Sequence, residues 1–193
     1  MPRRASAASD AYSSQLKREF SEMIDSLALE DLQKRFLHGR WLEQLLWFER
    51  RSGSNQRRYY ALRLVTIVGG VTVPALISLN LRSANVAEGL GWVTFGLSLI
   101  VATSAALESF FRYGENYRMY RRTAEALKAQ GWMFFELTGP YQARDHQSAF
   151  PKFAAQVEAL VRQDVDTFIA QAQAAEQRSD AAGAAPDRGS AAG

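Results

Sequence analysis

The sequence contains no cysteine, which excludes disulfide bonds and thiolate metal sites and fits a reducing compartment. Its two histidines, His38 and His146, lie in separate predicted regions, and no HExxH, GxSxG, P-loop or GxGxxG motif is present. The first 14 residues lack the apolar core of a secretory signal. These absences predict a protein that is not an enzyme, that binds neither a metal nor a cofactor, and that has no cleaved signal.

Charged residues are also absent from two apolar runs in the middle of the chain. The first run covers residues 64–81 and has 18 residues, and the second covers residues 89–107 and has 19. A helix rises about 1.5 Å per residue, so each run matches a hydrocarbon core of about 30 Å. The core helices of a soluble bundle are the alternative, but such helices normally carry charge on their outer face. The runs therefore predict a transmembrane helical hairpin.

Positive charge collects beside these runs, on the sides that face the two chain ends. Ten cationic residues flank the runs there, whereas the connecting loop, residues 82–88, has only Arg82. The ten are Arg50, Arg51, Arg57, Arg58, Arg63, Arg112, Arg118, Arg121, Arg122 and Lys128. The positive-inside rule then predicts a multi-pass protein of the cell inner (plasma) membrane, with both termini in the cytoplasm and the loop outside. Arginines in this position predict contact with the lipid bilayer through anionic headgroups, and no nucleic acid partner.

The segments outside the runs are polar and have helical periodicity. Residues 15–63 and 108–175 predict cytoplasmic helices, whereas residues 1–14 and 176–193 have the composition of disordered ends. The predicted fold is an all-α membrane protein, a two-span transmembrane helical hairpin whose long cytoplasmic helical extensions form a bundle.

Helix boundaries follow from local signals. Gly39 marks a break, and a helix is expected from near Arg40 into the first run, with a turn at residues 51–56 as the alternative. A second helix is expected to continue without interruption from the second run to the Gly-Pro stop signal at residues 138–140. The last helix is expected over residues 149–173.

Pro74 lies inside the first run and removes one helical hydrogen bond, because proline has no backbone N–H, and its ring also clashes with the carbonyl of Gly70. We expect a kink near Val71. Both runs are diluted by small and hydroxylated residues, which let helix backbones approach and bond to one another. The dilution predicts a homo-oligomer.

One face of the second run is a candidate ion pathway, because its members repeat at steps of four and three residues. In a ring of subunits this face would offer hydroxyl groups, a constriction and a carboxylate at the inner mouth that favours cations. The alternative is that the face packs on the first run and that its carboxylate forms an i,i+4 pair with Arg112. The residues of the face are Thr94, Ser98, Val101, Ala105 and Glu108.

The last predicted helix carries an apolar stripe at three- and four-residue spacing. We expect this candidate assembly seam to hold helices or subunits together, because an uncovered apolar stripe recruits a neighbour. Its residues are Phe150, Phe153, Val157, Leu160, Val161 and Phe168.

Several motifs resemble those of the SLATT family, the bacterial two-transmembrane effector domains found beside nucleotide-second-messenger systems, and its two-span relatives. They are Arg40-Trp41, Trp47, the VTVPAL segment around Pro74, Tyr117-x-x-Tyr120-Arg121-x-x-Ala124-Glu125-x-Leu127, Gly139-Pro140-Tyr141 and Phe153-x-x-x-Val157-Glu158. The resemblance implies an oligomeric membrane effector that forms a pore or perturbs the membrane. The predicted function is an oligomeric integral membrane protein that forms a cation-preferring pore or acts as a membrane effector. The alternative is a non-conducting membrane-anchored scaffold that assembles or recruits a partner through its cytoplasmic helices.

Overall fold

The structure is a computed structural model that describes residues 2–80 and 87–183. All regular secondary structure in these residues is helical, as the sequence predicts. The helices are α1 (Pro2–Ser26), α2 (Asp31–Phe36), α3 (Glu43–Asn80), α4 (Ala87–Phe111), α5 (Tyr113–Phe135) and α6 (His146–Gly183). A π-helical segment, Leu37–Leu42, joins α2 to α3, and a 3-10 turn, Gly139–Tyr141, precedes α6.

The helix boundaries differ from those expected at several places. Helix α1 begins at Pro2, although residues 1–14 have the composition of a disordered end. Residues 51–56 are helical, so the turn considered there does not form, and the chain passes Gly39 in π-helical geometry without a break. The predicted loop at residues 82–88 lies mostly outside the described residues, as does most of the predicted disordered tail. Residues 176–183 of that tail are helical and continue α6 beyond its expected end at residue 173.

The chain divides into two compact units. The first contains residues 1–27 and 31–125, and the second contains residues 28–30 and 126–193. In the first unit α1 packs against the π-helical segment and α3. The ring of Phe20 lies edge-on to that of Trp41 with their centroids 5.1 Å apart, and both side chains are buried. Lys17 adds an ion pair of 2.6 Å to Glu43.

A stripe of buried and half-buried residues begins in the π-helical segment and runs along most of α3. Its members alternate in steps of four and three residues, which is the spacing of left-handed coiled-coil packing. They are Trp41, Leu45, Phe48, Ser52, Asn55, Tyr59, Leu62, Thr66, Gly69, Val73 and Leu76. We call this set the α3 stripe. It extends from the polar part of the chain through the first apolar run without a change of register.

Helix α4 packs along α3 through a stripe of the same spacing. Its half-buried and buried members are Leu90, Thr94, Leu97, Val101, Ser104 and Glu108. The two helices approach one another closely at Gly69 and Val101, because a Cβ atom built on Gly69 would overlap with Cγ2 of Val101. Gly70 faces open space instead. Gly69 therefore lets the two helices approach one another.

Helix α3 continues through Pro74 to Asn80. Beside the proline, the hydroxyl groups of Thr72 and Ser78 donate to the carbonyl oxygens of Val68 and Pro74, at 2.8 and 3.0 Å. These intrahelical bonds satisfy the hydroxyl groups without a partner helix. The kink near Val71 stays a prediction.

Both apolar runs expose their outer faces. The helical stretches Asp31–Leu79 and Gly89–Phe111 are long and apolar enough to cross a membrane, and only 6 % of the most apolar window of each is buried. The large exposed side chains of these windows include Ile67, Val68, Val71, Ile77, Leu79, Trp92, Val93, Phe95, Leu99 and Ile100. A core helix of a soluble protein would be mostly buried, so these two helices lack that character.

The second unit is built around an aromatic cluster. Phe153 of α6 stacks on Phe134 of α5 with ring centroids 4.4 Å apart, and Tyr141 lies edge-on to Phe153 at 5.8 Å. The hydroxyl group of Tyr141 donates to Oε1 of Gln130, and burial raises the pKa of Tyr141 to about 12. The phenol therefore stays protonated and remains a donor at ordinary pH.

Helix α6 begins at His146, three residues before the predicted start. Asp145 caps it, because its carboxylate accepts from the hydroxyl group and the backbone N–H of Ser148 at 2.6 and 2.8 Å. Both bonds lower the pKa of Asp145, and the bond from the Ser148 hydroxyl group has the larger effect.

The predicted assembly seam lies within α6, and the structure gives part of it a role inside the chain. Phe153 and Val157 are fully buried. Phe150, Leu160 and Val161 are half-buried. The side chain of Phe168 lies outside the described part of the chain. Phe153 holds helices of one chain together, and contact between subunits stays a prediction.

Candidate functional site

One uninterrupted helix was expected from the second apolar run to the Gly-Pro signal, and this prediction is wrong. Helix α4 ends at Phe111 and α5 begins at Tyr113, because Arg112 between them has a φ of 48°. The backbone N–H groups of Glu115 and Asn116 bond to the carbonyl oxygen of Arg112 at 3.0 and 3.1 Å, so a new helix starts at once. The junction therefore separates two helices.

The break also changes the ion pair expected there. The sequence spacing predicts a pair between Glu108 and Arg112, whereas Arg112 forms its ion pair with Glu115. The left-handed backbone at Arg112 removes the helical geometry that an i,i+4 pair requires. Among the described residues Glu108 has no ion-pair partner.

Tyr59 of α3 lies against the first turn of α5. A Cβ atom built on Gly114 would be only 2.8 Å from Cε2 of Tyr59, so glycine allows the ring this position. Nη1 of Arg63 donates to the hydroxyl oxygen of Tyr59 at 2.8 Å. The guanidinium of Arg63 also lies 5.6 Å from the centroid of the Tyr59 ring, within cation–π range. One aromatic ring thus connects the junction to α3.

These groups surround a cleft of about 310 Å³ at the α4–α5 junction. Its lining residues are Tyr59, Arg63, Glu108, Ser109, Arg112, Gly114, Glu115 and Arg118. We call it the junction cleft. Three arginines and two glutamates line it. Arg58 of α3 also contacts the start of α5, because its guanidinium lies 5.7 Å from the centroid of the Tyr113 ring.

The junction cleft lies where the polarity of the chain changes. Arg63 is the residue immediately before the first apolar run, and Glu108 is the residue immediately after the second. The sequence identifies both as border residues, but it does not predict that they line the same cleft. The missing signal was the register of the two stripes, whose steps of four and three residues place Tyr59 and Glu108 on the faces by which α3 and α4 pack.

The residues of the candidate ion pathway do not all pack against α3 in the structure. Thr94, Val101 and Glu108 belong to the stripe of α4 that faces α3, Ser98 is half-buried beside them, and Ala105 is exposed. The hydroxyl groups of Thr94 and Ser98 donate to backbone carbonyl oxygens four residues earlier, both at 2.8 Å. Their role in lining a pore stays a prediction.

A cluster of polar side chains, separate from the junction cleft, lies further from the apolar runs. Glu49 is only 8 % exposed and accepts from Nη1 of Arg121 at 3.2 Å, and Nη2 of Arg121 bonds to Glu125 at 2.6 Å. Ser52 and Asn55 continue the buried polar layer along α3. Buried polar groups in a coiled-coil stripe fix the register of the helices at some cost in stability.

The part of the chain that forms the site is similar to a known protein family. A model of one family matches residues 43–149, which is more than half of the chain, and its description is "Protein of unknown function (DUF4231)". The chain belongs to the DUF4231 family. The DUF4231 region begins where α3 begins and ends in the first turn of α6, so it contains both apolar helices and the junction cleft.

The other comparisons add no relative with a known activity. Neither the curated proteins nor the solved structures give a match to this chain. The family match gives no support to the SLATT resemblance in particular. In the part of the chain that the structure describes, no three histidine or acidic side chains are grouped so that they would hold a metal ion.

Proposed function

We propose that this DUF4231 protein is an oligomeric two-span protein of the cell inner membrane that acts as a non-conducting scaffold. Helices α3 and α4 cross the bilayer, and both termini lie in the cytoplasm. The observation that supports the proposal is the α3 stripe, which joins the apolar run to the polar extension in a single register. A rigid connection of this kind suits a protein that holds cytoplasmic helices at a fixed position on the membrane.

The exposed apolar faces support the membrane placement. A soluble protein rarely exposes a contiguous apolar patch of more than a few hundred Å², because water disfavours it. Lipid tails cover the same surface without that cost. The arginines that precede the first apolar run and those that follow the second agree with a cytoplasmic location of both ends.

A surface for a partner is available on the polar extension. Trp47 is 44 % exposed although it neighbours the buried Phe48, and its ring lies edge-on to that of Tyr120 at 5.7 Å. Exposed tryptophan is enriched among the residues that dominate binding energy at protein interfaces. This exposed aromatic group favours a scaffold that recruits a protein partner.

A cation-preferring pore is the second candidate function. The weak hydrophobicity of both runs and the exposed Ala105 support it, because small and polar residues serve subunit packing and pores alike. The packing of Thr94 and Val101 toward α3 favours the scaffold, since a lumen at this face requires α3 and α4 to separate.

Cysteine labelling tests the membrane topology, and the chain has no native cysteine to interfere. With Ala87→Cys we expect labelling of intact spheroplasts by a membrane-impermeant maleimide, because the residue lies at the loop end of α4. With Ala129→Cys we expect labelling only after permeabilisation. The reverse pattern would contradict the proposed orientation, and labelling of both variants in soluble fractions would contradict membrane insertion.

Ion flux from reconstituted liposomes separates the scaffold from the pore. We expect no flux above protein-free liposomes from the wild type. If flux occurs, a pore lined by α4 requires Glu108→Gln to lower cation preference and Val101→Trp to block conduction, because they remove the charge and narrow the lumen. The matched control for charge is Glu136→Gln, an exposed carboxylate beyond α5. Reproducible wild-type flux that both α4 variants abolish or alter, with the control unchanged, would contradict the scaffold.

A further inference from the structure

We propose that the junction cleft binds the headgroup of a phosphatidylethanolamine-type lipid. The phosphate diester lies between Arg63 and Arg118, and the primary ammonium lies at Glu108. The inference rests on the proposed membrane placement and goes beyond it, because it assigns a specific lipid site to the junction cleft.

Two arginines of the cleft are available for a phosphate. Arg112 is paired with Glu115, so its charge is largely compensated. Arg63 donates to the hydroxyl oxygen of Tyr59 and has no ion-pair partner among the described residues. Arg118 has no ion-pair partner in the described part of the chain. A planar guanidinium donates two parallel hydrogen bonds to a phosphate, so these side chains suit a phosphate diester.

The carboxylate of Glu108 indicates the second group of the ligand. A phosphate alone would be repelled by this side chain, which has no ion-pair partner among the described residues. A headgroup that carries a primary ammonium beside its phosphate satisfies both signs of charge. The quaternary ammonium of phosphatidylcholine has no N–H group to donate, and the glycerol of phosphatidylglycerol has no positive charge, so the cleft discriminates against both.

The position of the cleft favours a lipid over a soluble phosphate compound. Arg63 and Glu108 border the two uncharged runs, so the cleft lies at the level where the hydrocarbon core ends. The apolar faces next to it are exposed and offer a surface to acyl chains. Its volume of about 310 Å³ accommodates a small headgroup and is at the lower end for ligand pockets.

Native mass spectrometry of the delipidated full chain in detergent tests the proposal. The protein is titrated with dioleoyl phosphatidylethanolamine, phosphatidylglycerol and phosphatidylcholine, and with soluble O-phosphoethanolamine. We expect phosphatidylethanolamine to bind most tightly. Each arginine near a lipid surface contributes roughly fivefold to affinity, so Arg63→Gln/Arg118→Gln is expected to weaken binding about 25-fold. Glu108→Gln is expected to remove the preference for phosphatidylethanolamine over phosphatidylglycerol.

The matched control is Arg57→Gln/Arg122→Gln, which removes two exposed cations from the same two helices outside the cleft. We expect this control to keep the lipid preference and to lose much less affinity. Equal losses in both double variants would overturn the proposal, as would phosphatidylglycerol binding as tightly as phosphatidylethanolamine, or O-phosphoethanolamine binding as tightly as the lipid. Circular dichroism confirms that each variant keeps its helices.

A separate measurement distinguishes failure of the cleft from failure of the proposed function. Membranes from expressing cells are extracted with alkaline carbonate. Retention of the protein in the pellet without selective lipid binding would overturn the headgroup site alone. Release into the supernatant would overturn the membrane placement as well.

Discussion

Phe153→Ala is expected to destabilise the second unit by about 3–5 kcal/mol, the cost of truncating a large aromatic side chain in a core. Phe153 is 0 % exposed, stacks on Phe134 of α5 and contacts Tyr141 of the 3-10 turn. Truncation of Phe153 therefore leaves a cavity between these two rings. Hydrogen–deuterium exchange of the full chain in detergent measures the effect. The backbone amides near Phe153 in α6 should exchange roughly a hundredfold faster or more.

The matched control is Phe150→Ala, which truncates the same side chain less than one helical turn away, at a half-buried position. We expect a clearly smaller acceleration, because less apolar surface returns to water. Equal protection in wild type and Phe153→Ala would show that the aromatic cluster does not stabilise the second unit. A change of oligomer size in Phe153→Ala without faster exchange would instead assign this residue to contact between subunits.

The sequence was sufficient to predict an all-helical fold and the two long apolar helices, because the first follows from helical periodicity and the second from runs of uncharged residues. A helix from near Arg40 into the first run also forms, apart from its π-helical start. The Gly-Pro signal correctly predicts that α5 ends before Gly139, where Leu137 and Gly139 both adopt positive φ. These features are local, so a single sequence contains the information.

The break at Arg112 could not be predicted in the same way. No proline is present there, and positive φ at an arginine has no strong local signal. Gly114 is the residue that allows Tyr59 to approach, which is a contact between residues 55 positions apart in the chain. The start of α6 had a usable signal, since Asp145 precedes Ser148 by the spacing of an N-cap.

The face by which α4 packs on α3 could be predicted only in part. The steps of four and three residues that define the candidate ion pathway share Thr94, Val101 and Glu108 with the packing stripe. The two readings differ only in the flanking residues, and composition alone does not separate them. The decisive observation is the contact between Gly69 and Val101, which requires knowledge of both helices.

That contact leads to the expectation that Gly69→Ala separates α3 from α4, whereas Gly70→Ala does not. The new methyl group at position 69 would overlap with Cγ2 of Val101, and a valine has few alternative rotamers in a helix. Overpacking of this kind costs about 1–3 kcal/mol. Thermal unfolding in detergent should therefore occur at a lower temperature for Gly69→Ala.

Gly70→Ala is a close control, because the same substitution one residue along the same helix meets open space. We expect its unfolding temperature to equal or exceed that of the wild type, since alanine favours a helix over glycine by about 1 kcal/mol. The double variant Gly69→Ala/Val101→Ala should recover much of the lost stability, because it removes the overlapping methyl groups and leaves the two helices close together. Equal effects of the two single substitutions, or no recovery in the double variant, would show that Gly69 and Val101 do not determine the packing of the hairpin. Recovery would show that this face of α4 is occupied by α3, and a pore along α4 would then need a different face.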